Sequence, residues 1–384
     1  MPRGPRNCRS TNGSKKKSGL RVGTAIARNQ RSAHVVQDPL VRLRYHQLID
    51  PNAELRNEIR RAYDEQGLGV LAVRDVPELV AKRERLLPLA AQIARQPEHQ
   101  RKKWEDPKSH YNFGWSHGKE KLQDGRPDRM KGSYYNNPIY NVPTEDPELW
   151  EAYPSSARPN LWPTKAVPEL EEAFMDLGQL IVRVGTLVAK HCDRYVEGAI
   201  GDHVSLPHRM EDVIRRSRCP KARLLHYFPP QEDTSTSETD GENWCGWHTD
   251  HGTLTGLVSA MYLRGDEKVA SPDPSCGLHV RNRQGEVVQV SIGEDEIAYQ
   301  MGEASQILSG GFLHATPHCV RAPSLSRAGG VSRNTFAVFM QPQWDTSMDP
   351  PAGYEGIAGR NVPAWSLGQT FGQFTERTFQ QYYQ

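Results

Sequence analysis

The segment Gly246-Trp247-His248-Thr249-Asp250-His251-Gly252 sets a histidine and a carboxylate two residues apart. A further histidine follows in Ala315-Thr316-Pro317-His318. Two imidazoles and one carboxylate suit iron(II), because they fill one face of an octahedron and leave three positions for O2 and organic ligands. On an extended chain alternate side chains share a face, so His248 and Asp250 project together while Thr249 and His251 point the other way. The third ligand must come from another strand. His318 is the leading candidate, after a Gly-Gly turn and before the apolar Cys319-Val320. His251, His279 and His314 are rivals. His251 falls on the wrong face of an extended segment, and His314 shares its loop with His318.

A second chemical group lies fifteen residues further on. Arg333-Asn334-Thr335 opens the apolar run Phe336–Met340. On a strand Arg333 and Thr335 share a face. A guanidinium offers two parallel hydrogen bonds to a carboxylate, and a hydroxyl offers a third donor. Such a pair suits the distal carboxylate of a 2-oxo diacid held beside a metal.

These residues need a scaffold that brings distant strands together. The 384 residues give ample chain for a core, and 36% hydrophobic content with 32 Gly and 28 Pro favours a loop-rich β protein over a helical bundle. Helical spacing occurs over Asn52–Tyr63, over Pro77–Ala94 and, most strongly, over Pro168–Val196. Val70–Val73 reads as a short strand. Arg126–Pro143, with Tyr134, Tyr135 and Tyr140, has no clear period and reads as an ordered loop. From about 220 the period changes. Arg223–Phe228 is strand-like and a polar loop covers Gln231–Asn243. The short runs Leu254–Leu263, Leu278–Arg281, Val287–Ile292, Ala304–Leu308 and Thr335–Met340 then alternate with turns. The expected class is mostly β with flanking helices, built on a sandwich or jelly roll.

The net charge is +2. Residues 1–37 hold nine Lys/Arg and no Asp/Glu, which leaves 39 basic against 46 acidic residues in the remainder. A broad nucleic-acid-binding face is therefore not expected. No apolar run reaches the length of a membrane span. The six cysteines are scattered without a CxxC pair, which points to a reducing compartment and away from structural zinc. Residues 1–40 read as a disordered basic tail or as an organelle transit peptide, such as one for the chloroplast. As a plain tail they would leave the protein in the cytoplasm. The oligomeric state is not encoded in any readable pattern.

Taken together, His248-Thr249-Asp250, His318 and Arg333-x-Thr335 resemble the iron(II)/2-oxoglutarate-dependent dioxygenases of the isopenicillin N synthase-like group. The nearest likeness is to uncharacterised plant and green-algal members, which share the run from Gly246 to Leu257. His226-Tyr227-Phe228-Pro229-Pro230 resembles that group's Asn-Tyr-Tyr-Pro element, and Gly67–Asp75 loosely resembles its N-terminal strand. The likeness spans about residues 45–345.

The resemblance implies a double-stranded β-helix (jelly roll) core over 218–345. An N-terminal α/β region would cover 41–160, a long helix and linker 161–217, and a C-terminal extension 346–384. It implies iron(II) on His248, Asp250 and His318, with 2-oxoglutarate on Arg333 and Thr335. O2 would be the oxidant and a small organic molecule the substrate. This sequence departs from the pattern at Thr335, which replaces a serine, and at His226 and Phe228, which remove two polar groups. It also carries inserts near Arg264–Pro274 and Ser324–Gly330. Those departures keep two other readings in play: an iron oxidase of the same fold that takes no 2-oxoglutarate, and a binding protein without catalysis.

Overall fold

The structure is a computed structural model that describes residues 40–120, 126–201, 204–230 and 243–383. Apart from Leu40, the basic N-terminal tail lies outside the described residues, as does the polar loop at 231–242. In chain order the strands are β1 (Val41–Arg44), β2 (Val70–Arg74), β3 (Gly114–His117), β4 (Lys131–Asn136), β5 (Lys221–Tyr227), β6 (Asn243–His248) and β7 (Leu254–Val258). They continue with β8 (Met261–Arg264), β9 (Glu267–Val269), β10 (Gly277–Arg281), β11 (Val287–Gln289), β12 (Glu296–Met301), β13 (His318–Arg321) and β14 (Ser332–Met340).

Two sheets result. The larger runs β1-β2-β12-β7-β14-β5-β4-β3, with β8 joined to β14 and β9 to β8. The smaller runs β11-β10-β13-β6. The strand pairs are antiparallel except β1 with β2. Strand β14 is the spine of the larger sheet, flanked by β5 on one side and by β7 and β8 on the other. Period-two alternation sends Phe336, Val338 and Met340 to the helical side and Arg333, Thr335, Ala337 and Phe339 to the other. The N-terminal region supplies β1 and β2 to one end of this sheet and β3 and β4 to the other.

The helical side is covered chiefly by Leu170–Ile200, whose Phe174, Leu177, Ile181 and Val184 are buried as the sequence period predicts. Phe174 meets Phe336 edge-on at 4.9 Å. Close approach of helix and sheet depends on Gly256 in β7, where an added methyl would overlap Ile181. The helix Leu79–Ala94 packs beside it, again with the predicted Leu79, Leu86, Leu87, Leu89 and Ile93 buried.

Three expectations are corrected. The described residues are 34% helix against 23% strand, so the fold is mixed and sheet-rich rather than mostly β. The aromatic stretch expected as a loop contains β4, because Lys131–Asn136 pairs with β5 along six residues. Ala304–Leu308 is part of a helix, Glu303–Leu308, not a strand. Its first N–H groups have acceptors ready in the chain after β6: Glu303 donates to the Asp250 carbonyl at 2.8 Å and Ala304 to that of His251 at 3.2 Å. Helix N-termini need such partners.

The two inserts meet. Asp273, almost fully buried, accepts hydrogen bonds from the Ser275 backbone (3.0 Å) and hydroxyl (2.7 Å), from the Ser324 backbone (3.3 Å) and from Arg327 (3.2 Å). Although burial alone would raise it, these donors hold its carboxyl well below the usual range. The C-terminal extension packs Met348, Val362, Phe371 and Phe374 against Ala304 and Ile307.

The glycine contact is testable. Gly256→Ala is expected to lower unfolding stability by about 1–3 kcal/mol through overpacking, measured by urea denaturation. Wild-type stability in that variant would contradict the packing described.

Candidate metal and anion site

Strands β6 and β13 lie side by side, and His318 is directly opposite His248 in their register. The two rings are 4.2 Å apart between centroids. Strand β6 ends at His248, so Asp250 reaches the site from the following loop rather than from an extended strand. That loop is fixed by the helix donors described above and by Thr253, whose N–H donates to the Met340 carbonyl at 2.9 Å. Asp250 Oδ1 lies 3.7 Å from His248 Nε2 and 3.9 Å from His318 Nε2. The three ligand atoms fall within 4.8 Å of one another, the sole such cluster among the described residues.

The rivals are placed elsewhere. His251 stacks on Phe371 at 5.7 Å. His279 bonds the Gly277 carbonyl through Nδ1, and His314 meets Arg283 at 2.9 Å.

The donors fit a divalent cation. His248 Nδ1 lies 2.9 Å from the Gly246 carbonyl. A carbonyl can only accept, so Nδ1 carries a proton and Nε2 is the atom turned toward Asp250, free to bind a cation once it gives up its own proton. Asp250 Oδ2 is buried and has no hydrogen bond among the described residues. Burial works against the Asp250 charge, but His318 and His248 outweigh it and hold the carboxyl below its usual range. Burial and the nearby His248 hold His318 down to about 4. For His248 burial is opposed and exceeded by Cys245 and Asp250, which push it up to about 9. Without a metal, His248 therefore carries a proton on Nε2 as well as on Nδ1, whereas His318 is neutral.

These residues face a cavity between the sheets. From β14, Arg333 and Thr335 face the same cavity. Arg333 is buried, and its Nε and Nη1 have no hydrogen-bond partner among the described residues. Its guanidinium sits 4.9 Å from the Tyr227 ring and 6.0 Å from that of Trp244. Thr335 spends its hydroxyl proton on the Val258 carbonyl at 3.0 Å. It therefore offers an incoming anion no free donor unless the hydroxyl turns.

Strand parity settles the altered upstream element. Arg223, Leu225 and Tyr227 face the cavity, whereas His226 points to the helical side. There His226 Nδ1 donates to Asn334 Oδ1 at 2.8 Å, and Asn334 in turn donates to the Leu87 carbonyl at 2.9 Å. Phe228 packs against His226 and His117.

Several site residues escaped the sequence reading. Arg223 lines the cavity but its Nε and Nη2 are engaged, with Ser133 at 2.9 Å and Glu120 at 2.6 Å. Glu120 also pairs with Lys131 at 3.1 Å. Counting back in twos from Tyr227 would have found Arg223. Thr255 lines the site beside Asp250, and Gln300 in β12 contacts His318. A glutamine inside the otherwise apolar Ile297–Met301 was the available signal for the latter.

Because a cation must displace the His248 proton, binding becomes tighter as pH rises toward about 9. Between pH 6 and 8 the affinity for Mn(II) should increase roughly tenfold per pH unit, with one proton released per ion. Calorimetric titration in two buffers checks this, and a flat profile would contradict it.

No protein-family model matches the sequence, and no curated protein matches it. Solved structures do. A full-length Neurospora crassa protein in complex with alpha-KG, which is 2-oxoglutarate, is similar at a TM-score of 0.65 and 18% identity, over 90% of this chain and 98% of that one. A protein from Caulobacter crescentus assigned to the 2OG-Fe(II) oxygenase family gives 0.63 and 17%, over 89% and 99%. The dioxygenase for auxin oxidation 1 from Arabidopsis thaliana, in its 2-oxoglutarate complex, gives 0.54 and 15%, over 82% and 97%. The chain shares the fold of these proteins along nearly its whole described length.

Proposed function

We propose that this protein is a non-haem iron(II) dioxygenase that couples decarboxylation of 2-oxoglutarate to oxidation of a small organic substrate. The core is read as a double-stranded β-helix, formed by the two sheets around the cavity. One observation carries the proposal: a His-Asp-His cluster and a buried guanidinium whose Nε and Nη1 have no hydrogen-bond partner among the described residues face the same cavity. An unpaired buried charge is costly, by several kcal/mol even after relaxation. It is understandable where an anion completes it. The structural neighbours bound to 2-oxoglutarate support the same reading.

His248, Asp250 and His318 would hold the metal. When bound, iron(II) supplies the activation of O2 that, with 2-oxoglutarate, yields succinate, CO2 and an oxidised substrate. The remaining work is done by the chain. Arg333 fixes the distal carboxylate of the cosubstrate, with Tyr227 and Trp244 screening its charge from water. Leu225, Leu257, Leu278 and Val320 give the cavity apolar walls. These keep water from competing for a reactive centre. No general acid or base is required.

An oxidase without 2-oxoglutarate was suggested by His226 and Phe228. Neither faces the cavity, so those positions no longer favour it.

Protein loaded with iron(II) under anaerobic conditions and then exposed to air should convert 2-oxoglutarate to succinate. The double variant His248→Ala/Asp250→Ala should lose this turnover, and unchanged turnover would refute the site. Arg333→Ala removes hydrogen bonds to a charged group worth about 1.5–3 kcal/mol each, so the 2-oxoglutarate KM should rise about 10- to 100-fold or more. An unchanged KM would remove Arg333 from this role.

A further inference from the structure

We propose that Gln300 is a positioning residue for the metal site. Its amide oxygen accepts the Nδ1 proton of His318 and holds that ring with Nε2 toward Asp250. This rests on the metal reading above and adds a residue to it.

Gln300 is fully buried in β12, and its amide lies 2.5 Å from His318 Nδ1. The other acceptor near Nδ1 is the Thr316 carbonyl at 3.4 Å, too far to be its main partner. The ring chemistry then decides how the amide is turned. If Gln300 presents its NH2 to Nδ1, that nitrogen must hold a lone pair, and the ring proton moves to Nε2. A protonated Nε2 cannot bind a cation. Once Nε2 binds one, Nδ1 must carry the proton, and an NH2 group at 2.5 Å would set two protons against each other. With the NH2 group toward the ring, that nitrogen also lies 3.5 Å from the Thr316 carbonyl, too long a contact to hold the amide in this orientation. A half-turn of the amide keeps its shape and sets Oε1 against the Nδ1 proton.

The surroundings support such a role. Gln300 is the direct cross-strand partner of Thr255, so both side chains stand on one face of the larger sheet. Thr255 lines the site beside Asp250, as Gln300 lies against His318. A single register pair on one sheet thus adjoins two ligands, one in the loop after β6 and one on the opposing sheet. His248 is served separately, by the Gly246 carbonyl.

The test uses the full chain and Co(II) alone, with affinity measured by chelator competition. Gln300→Leu keeps the volume and removes the acceptor, and should weaken Co(II) binding about 10- to 100-fold. In the NMR spectrum of the Co(II) protein, the exchangeable Nδ1–H resonance of His318 should broaden or vanish while that of His248 stays. Gln300→Glu keeps an acceptor but cannot donate, so its affinity should stay within a few-fold of wild type. Unchanged Co(II) affinity in Gln300→Leu would overturn the proposal, even if the variant melts earlier. A loss in Gln300→Glu as large as that in Gln300→Leu would also overturn it, since the amide would then act as a donor. Should Gln300→Leu fail to fold, Gln300→Met, which also lacks the acceptor, takes its place. Failure of the wild type to bind Co(II) would instead refute the metal site itself.

Discussion

The structure hangs on one register: His318 of β13 directly opposite His248 of β6. Side chains on paired strands have period two, so a slip of one residue would turn an imidazole out of the cavity. The register is irregular just beyond His318, where β13 and β6 shift relative to one another between His318 and Val320. The histidine pair therefore sits at the end of the ladder, where β6 can leave the sheet and return Asp250 to the two rings. Much else locks this geometry. The helix Glu303–Leu308 ties down the ligand loop, and the C-terminal extension packs on that helix and on His251.

Two arginines face the cavity and differ in what surrounds them. Arg223 belongs to an ionic network with Glu120, Lys131 and Asp128, reinforced by Ser133. Its charge is neutralised within the wall. Arg333 has aromatic rings about it but no carboxylate partner among the described residues. Cation–π contacts offset only part of the cost of dehydrating a guanidinium, about 2 kcal/mol or somewhat more when desolvated. The two residues are alike in type and in strand parity, and only their partners distinguish a wall element from an anion anchor.

The ligand triad was legible because its chemistry is written in residue types and short spacing: His248-x-Asp250, then His318 ahead of an apolar strand. Arg333 was legible because it opens a strand whose parity is clear. The long helix was equally plain, since Phe174, Leu177, Ile181 and Val184 repeat at three and four. Other features are tertiary and left weaker traces. Ala304–Leu308 has a strand-like composition, and it is helical because the Asp250 and His251 carbonyls accept its first N–H groups. The stretch that becomes β4 has no clear period because Lys131 and Ser133 are buried in polar contacts. The upstream element looked impaired at His226 and Phe228, but Tyr227 is the member that faces the cavity. Motif comparison counts positions, whereas the cavity sees every second one.

The clasp at Asp273 links the inserts at 264–274 and 324–330, which are remote in sequence and each dispensable by eye. The buried carboxylate draws its donors from both sides. Removing the second insert alone would strip this carboxylate of the Ser324 and Arg327 donors, and removing the first would leave Arg327 without its ion pair. One buried carboxylate thus fastens two loops that are far apart in sequence, and neither loop's composition alone reveals the tie.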